Sequence, residues 1–243
     1  MTVNDRLTAL RGWMREEKID AYIIPSSDPH QSEYVAEHWK SREWISGFTG
    51  SAGTVVVTVD YAGVWTDSRY FLQGEMETAS SEFELQKMHN QFGNYYRDWI
   101  IDNLSSGQTV AVDGQLFSNG QCDMLKKAFD SEGLKFRIDA DGISPTWTDR
   151  AAIPMNEIYV HDAKYAGKTR TERLNEVRAK MVEQKADHHL TTTLDDIGWT
   201  LNIRGTDIDF NPVAVCYLVV SKTYSTLFID KVKVPVAIQN ELK

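Results

Sequence analysis

The sequence predicts an α/β protein with helices packed on a mixed β-sheet, and it predicts that this domain occurs twice within 243 residues. Two observations favour this fold class. Segments with helical periodicity alternate with short apolar runs, which is typical of layered α/β domains. In addition, a group of residues near the start of the chain recurs at a constant spacing in the second half. We therefore expect two related domains.

The first predicted elements are a helix and a strand. Residues 6–18 carry apolar side chains at helical spacing and predict an amphipathic helix. Residues 21–24 are an apolar strand that Pro25 ends, because proline cannot donate a hydrogen bond to a sheet. A short helix over the strand ends is then expected within residues 31–39.

Residues 44–71, with the sequence WISGFTGSAGTVVVTVDYAGVWTDSRYF, are predicted to be the centre of the first domain. Three glycines spaced three apart predict a loop that needs positive φ or close backbone approach: Gly47, Gly50 and Gly53. The β-branched run at 55–59 and the turn residues at 60–63 predict a β-hairpin. Asp67 is expected to cap the helix that follows.

The rest of the first domain continues the alternation of helices and strands. Apolar positions within 92–104 predict a helix, and residues 109–113 predict a strand. Ser118 is expected to cap a second helix that ends at Gly133, and residues 134–138 are expected to form a further strand. The first domain is thus predicted to be a mixed sheet flanked by helices.

A linker and then a second copy of the pattern are expected. Residues 139–170 are rich in turn-forming and polar residues, and a boundary near 155 divides the chain into domains 1–154 and 155–243. Six residues of the first helix region recur 167 positions later: Arg6, Leu7, Arg11, Met14, Lys18 and Asp20 as Arg173, Leu174, Arg178, Met181, Lys185 and Asp187. Trp44 and Gly50 recur as Trp199 and Gly205. Helical periodicity alone would preserve only the apolar positions, whereas the recurring residues include charged ones. They therefore indicate a second copy of the domain.

The second copy is predicted to be truncated. Several helices and strands follow the hairpin of the first domain, whereas only residues 231–243 follow it in the second. A half-built sheet exposes an unpaired edge, which natural proteins avoid. We therefore expect a piece of a longer protein that ends inside its second domain. We also expect a neighbouring copy to cover the edge in a homo-oligomer.

Composition excludes several classes of function. The net charge of −9 argues against a nucleic-acid partner, because binding to phosphates requires a basic face. The two cysteines are far apart and form neither a zinc motif nor a disulfide framework. No long apolar run is present, and Asp5 and Arg6 stand where a secretory signal would be apolar. We expect a cytoplasmic protein that does not contact membranes.

No catalytic or metal-binding constellation is predicted. The loop Gly50-Ser51-Ala52-Gly53 lacks the Gly-x-Ser-x-Gly spacing of a nucleophile elbow, because position 49 is threonine. His188 and His189 are neighbours on a predicted strand, so only one of them could face a given metal ion. We therefore assign no catalytic residue and no metal ligand.

Two polar groups are candidates for binding rather than catalysis. His30, Glu33 and Tyr34, at i, i+3 and i+4, would share one face of a helix that Asp28 caps, and they could line a cleft; a solvated helix face is the alternative. Arg69 could present its planar guanidinium to a carboxylate of a peptide or a partner subunit. The alternative is an ion pair between Arg69 and an acidic neighbour.

Three segments carry a resemblance to a known family: IIPSSDPHQSEYV, SGFTGSAGT and WTDSRYFLQ, in this order and spacing. Together they closely resemble the amino-terminal region of the Xaa-Pro aminopeptidases (aminopeptidase P) of the creatinase/prolidase group, over essentially the whole chain. The resemblance implies two creatinase amino-terminal-like domains with ribonuclease-H-like mixed sheets. It also implies that the catalytic "pita-bread" domain of the family is absent here.

The resemblance also implies a function. Members of the family remove the first residue of peptides whose second residue is proline, with two divalent metal ions, usually manganese, held by the catalytic domain. None of those metal ligands matches a position in this chain, so no cofactor is expected within it. By position, the resemblance points to His30, Glu33, Arg69 and Tyr70 as residues that face the cleft or a partner.

The expected role is therefore that of a non-catalytic amino-terminal portion, which shapes access to the active site and contributes to subunit contacts. Xaa-Pro peptides would be bound through the missing domain. The alternative is a stand-alone peptide- or protein-binding module without activity. The length of the genomic reading frame would distinguish the two.

Overall fold

The computed structural model describes residues 1–90 and 93–242. The chain divides into two compact units: the first comprises Met1–Gln31 and His38–Ala151, and the second comprises Ser32–Glu37 and Ala152–Lys243. None of the helices in the described part of the chain combines the length and the apolar character needed to cross a membrane.

The first unit is a six-stranded mixed sheet with helices packed on it. Its strands are β1 (Ala21–Pro25), β2 (Thr54–Thr58), β3 (Ala62–Asp67), β4 (Glu84–Met88), β5 (Thr109–Val112) and β6 (Lys135–Arg137), in the order β4-β3-β2-β1-β5-β6. Its helices are α1 (Val3–Glu17), α2 (Ser41–Ser46), α3 (Phe71–Thr78), α4 (Tyr95–Asn103) and α5 (Asn119–Ser131). Strand β1 pairs antiparallel with β2 and parallel with β5.

Local sequence explains where these elements begin and end. Thr2 and Ser118 each form a capping box at the start of α1 and α5. The turn after Thr58 joins β2 to β3 as an antiparallel hairpin, as predicted. The apolar face of α1 and the inward side chains of the hairpin then form one buried core, whose members include Leu7, Leu10, Met14, Ile45, Phe48, Val55 and Val57. The predicted fold class is confirmed.

Two elements of the first unit differ from the prediction. The helix expected within 31–39 is wrong: only Glu37–Trp39 forms a 3₁₀ turn. The Asp28 side chain instead accepts a hydrogen bond from the His30 backbone N–H, and Gln31 adopts a left-handed φ of 57°. The strand β4 was not predicted. Phe92, assigned to the helix that became α4, lies outside the described residues.

The second unit contains two smaller sheets whose described strands all pair antiparallel. Its strands are β7 (Tyr159–Val160), β8 (His188–Thr191), β9 (Ile203–Arg204), β10 (Tyr217–Ser221) and β11 (Ser225–Phe228); β11-β10-β8 form one sheet, and β7 and β9 form a second. Its helices are α6 (Ala163–Ala166), α7 (Arg170–Glu183), α8 (Leu194–Leu201) and α9 (Val236–Glu241). Strand β10 pairs antiparallel with both β8 and β11, as β2 does with β1 and β3.

Matching contacts confirm that the two units are copies of one domain. In the first unit, Arg6 Nη1 donates to the Trp44 carbonyl at 2.5 Å and its guanidinium lies 5.4 Å from the centre of the Trp44 ring. In the second, Arg173 Nη1 donates to the Trp199 carbonyl and its guanidinium lies 4.4 Å from that ring. This arginine–tryptophan clamp ties α1 to α2 in the first unit and α7 to α8 in the second.

The equivalence extends along both helices. Arg11 Nε donates to the Thr58 carbonyl at 3.0 Å, and Arg178 Nε donates to the Ser221 carbonyl at 3.0 Å. Both helices are followed by a lysine with left-handed φ: 57° at Lys18 and 55° at Lys185. The recurring arginines therefore make recurring contacts, whereas Asp20 accepts hydrogen bonds from Gln108 and Thr109 and its counterpart Asp187 accepts one from Lys222.

Candidate functional site

The loop between α2 and β2 is built around a buried arginine. Arg42 Nη1 donates to the Phe48 carbonyl at 2.6 Å, and Nη2 donates to the Gly50 carbonyl. Its Nε donates to Ser26 Oγ at 2.6 Å, which fixes the loop to the end of β1. The guanidinium also lies 4.9 Å from the centre of the Phe48 ring. The guanidinium of Arg42 thus donates hydrogen bonds to two carbonyls and one hydroxyl, which would otherwise be buried without partners.

Burial changes the acidity of this arginine without removing its charge. Desolvation lowers the pKa of Arg42 to about 10, against which the nearby carboxylates of Glu43 and Glu77 act. The side chain therefore remains protonated at neutral pH. The sequence gives no distinctive signal for Arg42, because Lys40 and Glu43 are also charged in the segment between the buried tryptophans Trp39 and Trp44.

Glycine is required in this loop for two different reasons. Gly47 ends α2 with a left-handed φ of 75°, which favours glycine. At Gly50, a Cβ atom would lie 2.4 Å from the Phe48 ring and 2.8 Å from the Tyr70 ring. The second glycine therefore permits close packing of aromatic side chains against the backbone.

A polar surface lies where the loop meets the end of the hairpin. Tyr70 OH and Ser51 Oγ are 2.6 Å apart, and the Arg69 guanidinium lies 5.2 Å from the Tyr70 ring centre. Asp67 accepts two hydrogen bonds from Arg69, each of 2.8 Å, and a third from its backbone N–H. The hydrogen bond from the Arg69 side chain, with the other contacts of Arg69, lowers the pKa of Asp67, although burial opposes the shift. We call Ser51, Asp67, Arg69 and Tyr70 the hairpin-end surface.

The structure places the four predicted site residues in different surroundings. Arg69 and Tyr70 lie together on the hairpin-end surface, and the side chain of Arg69 is 59% exposed. His30 is buried, with 4% of its surface exposed. Glu33 is exposed and belongs to the second compact unit, whereas His30 belongs to the first. The predicted helical face that would carry both is wrong, because residues 31–36 are not helical.

The described residues, 1–90 and 93–242, include no group of three or more His, Cys, Asp or Glu side chains that could hold a metal ion. Burial raises the pKa of the Cys216 thiol to about 12, so this cysteine is not an activated nucleophile. What the site offers chemically is hydrogen bonding and charge at a surface.

The fold defines a class: proteins in which one α/β domain occurs twice in succession, with a mixed sheet in the first unit and antiparallel strand pairs in the described part of the second. Residues 6–143 and residues 149–243 match two family models, both described as the Creatinase/Prolidase N-terminal domain. The chain belongs to this family, as the sequence analysis predicted.

Relatives in sequence are aminopeptidases. The chain is 38% identical to Xaa-Pro aminopeptidase 1 of Dictyostelium discoideum over 242 residues, which cover 96% of this chain and 38% of that protein. It is 39% identical to aminopeptidase P2 of Arabidopsis thaliana, covering 100% of this chain and 35% of that protein. The chain therefore spans little more than a third of the length of these relatives.

A solved structure gives the same relationship. X-prolyl aminopeptidase from Caenorhabditis elegans, described as a cytosolic enzyme with a di-nuclear active site, superposes with a TM-score of 0.93 at 32% identity. The match covers 99% of this chain and 41% of that protein.

Proposed function

We propose that this chain is the non-catalytic amino-terminal portion of a metal-dependent Xaa-Pro aminopeptidase, an enzyme that releases the residue preceding proline. The observation that carries the proposal is the similarity of the whole chain to aminopeptidases of this kind, in sequence and in fold. Its domains would be residues 1–154 and 155–243, and the enzyme would be cytoplasmic, as the relative from C. elegans is described.

The metal ions would be held outside this chain. The related enzyme is described as di-nuclear, and no described residues here form a cluster that fits two metal ions. We propose two divalent ions, manganese in the first instance, bound by the remaining part of the enzyme. The present residues would then act on substrate access and on contacts between subunits of a homo-oligomer.

The hairpin-end surface is our candidate for these contacts. Asp67 holds the Arg69 guanidinium in place through two hydrogen bonds, while most of the side chain remains exposed. A fixed, exposed guanidinium beside a tyrosine ring suits a carboxylate of a peptide or of a partner subunit. His30 and Glu33 stay in the proposal as further cleft- or partner-facing residues, although His30 is buried here.

The proposal is tested by hydrolysis of an Arg-Pro-Pro peptide with added manganese. The purified 243-residue chain is compared with the full-length product of its reading frame. We expect arginine release only by the longer polypeptide. Metal-dependent turnover by the 243-residue chain alone would overturn the non-catalytic assignment. A reading frame that stops after residue 243 would favour the stand-alone binding module.

A further inference from the structure

An open apolar groove lies on one face of the second unit. It has a volume of about 770 Å³ and is bordered by α7, the start of β8 and α8. Its lining includes Val177, Lys180, Met181, His189 and Trp199. Trp199 is 45% exposed, although it is held by the cation–π contact with Arg173. A groove of this size with an exposed tryptophan is a surface that something covers.

The first unit shows what covers the equivalent face. The repeat relates Lys180, His189 and Trp199 to Trp13, Tyr22 and Trp44. There, residues 140–147 lie across these side chains. The Trp147 ring stacks on the Trp44 ring, with centres 5.0 Å apart and planes 12° from parallel.

Main-chain hydrogen bonds fix that covering segment. Tyr22 OH donates to the Ala140 carbonyl at 2.8 Å and accepts from the Gly142 N–H at 3.0 Å. Gly142 packs so closely that a Cβ atom would lie 2.4 Å from the Trp13 ring. In consequence Tyr22 is 1% exposed, whereas its counterpart His189 is exposed.

The sheet next to the groove also differs between the two units. In the first unit, β1 lies between β2 and β5, and β6 pairs with the far side of β5. The covering segment follows β6 directly. In the described part of the second unit, β8 pairs with β10 alone and ends the sheet. The strands that lead into a covering segment would therefore add at the free edge of β8.

We infer that the groove is the docking site of a segment of the parent polypeptide beyond residue 243, the second copy's counterpart of residues 140–147. This segment places an aromatic ring on Trp199 and main-chain amide groups against His189. It lies about as far beyond Asp230 as Trp147 lies beyond Asp67. The inference rests on the proposed function in one respect: it requires a longer polypeptide, as the lengths of the relatives indicate.

The test is thiol accessibility in a Cys122→Ser background, which leaves only the buried Cys216 among these 243 residues, and labelling is read at the introduced cysteine by peptide mapping. His189→Cys and Lys180→Cys place reporters at two of the positions whose counterparts contact the covering segment. Val182→Cys is the matched control on α7. Val182 is 68% exposed, and Arg15, its counterpart in the covered first unit, is exposed as well. Each variant is made in the 243-residue chain and in the full-length polypeptide, and its rate of maleimide labelling is measured.

We expect both groove reporters to react at least about tenfold more slowly in the full-length polypeptide, with the control unchanged. Two reporters keep the test decisive if one variant fails to fold. Equal rates in both polypeptides would overturn the inference. Protection that grows with the concentration of the 243-residue chain would also overturn it, because a second copy would then be the occupant. Peptidase activity is measured separately: an active full-length enzyme with reactive groove thiols refutes only this inference.

Discussion

Arg42 illustrates how one side chain can fix the conformation of a glycine-rich loop. Its three donor nitrogens reach the Phe48 and Gly50 carbonyls and the Ser26 hydroxyl. Arg42→Ala leaves these groups without their partner, and a buried hydrogen bond to a charged donor contributes about 1.5–3 kcal/mol. We expect the free energy of unfolding to fall by about 3 kcal/mol in urea titrations.

The matched control for that loss is Arg69→Ala. Arg69 also hydrogen bonds to a neighbour, but its side chain is 59% exposed. Exposed ion pairs contribute about 0–1 kcal/mol. A loss at Arg69 as large as that at Arg42 would contradict the roles given to these two arginines.

The lowered pKa of Asp67 determines the direction in which the free energy of unfolding changes with pH. Its pKa is lowered in the folded state by the side-chain hydrogen bond from Arg69, with burial opposing it. The contribution to stability is therefore complete above the unfolded pKa of about 3.9 and is lost as the pH falls through the lower, folded value. Asp67→Asn should flatten the fall in unfolding free energy at acid pH relative to the parent chain. An unchanged slope would mean that other carboxylates account for the acid sensitivity.

At the scale of elements, sequence patterns were most informative where one face is buried. The valine run of β2 and the cap residue Ser118 of α5 were identified because burial and capping demand those residue types, whereas the cap of α1 at Thr2 was missed. Strand β4 was missed because Glu84, Gln86 and Lys87 give it no apolar alternation, and it lies at the sheet edge. The absent helix within 31–39 reflects a side-chain turn at Asp28 that competes with helical bonds.

The candidate site was less predictable than the fold. An ion pair of Arg69 with an acidic neighbour was one of two alternatives, and the structure shows that this neighbour is Asp67. The Ser51–Tyr70 contact and the brace by Arg42 join residues that only tertiary folding brings together. The periodic pattern of apolar residues along the sequence carries no information about such contacts.

Close packing in the loop predicts a selective effect of adding one methyl group. Gly50→Ala would place Cβ within 2.4 Å of the Phe48 ring, which must then move in a filled core. Overpacking of this kind costs typically about 1–3 kcal/mol, so the melting temperature should fall by several degrees.

Gly120→Ala is the control for this substitution. Gly120 lies in α5, and no other atom lies within 4 Å of the point that an alanine Cβ would occupy. Alanine also favours the helix. We expect a melting temperature that is unchanged or slightly higher. Equal losses at the two glycines would show that chain entropy rather than packing governs the effect.

At the scale of the whole molecule, the two copies allow equivalent tryptophans to be compared, one covered and one exposed. Trp44 is 9% exposed and is covered by Trp147, whereas Trp199 is 45% exposed. Trp44→Ala should destabilise the first unit by about 3–5 kcal/mol, as buried tryptophans do. Trp199→Ala should cost about 1 kcal/mol in the 243-residue chain, chiefly its contact with Arg173. Chemical unfolding of both variants measures the difference; equal losses would contradict the structural contrast between the copies.

The arginine–tryptophan clamp also carries information about origin. A contact that occurs twice in one polypeptide, with the same donor atom and the same carbonyl acceptor, implies duplication of a gene segment that already encoded it. Before that event, the ancestral polypeptide carried one copy of the domain. The clamp is therefore older than any division of labour between the copies, and later specialisation must be sought at positions where they differ.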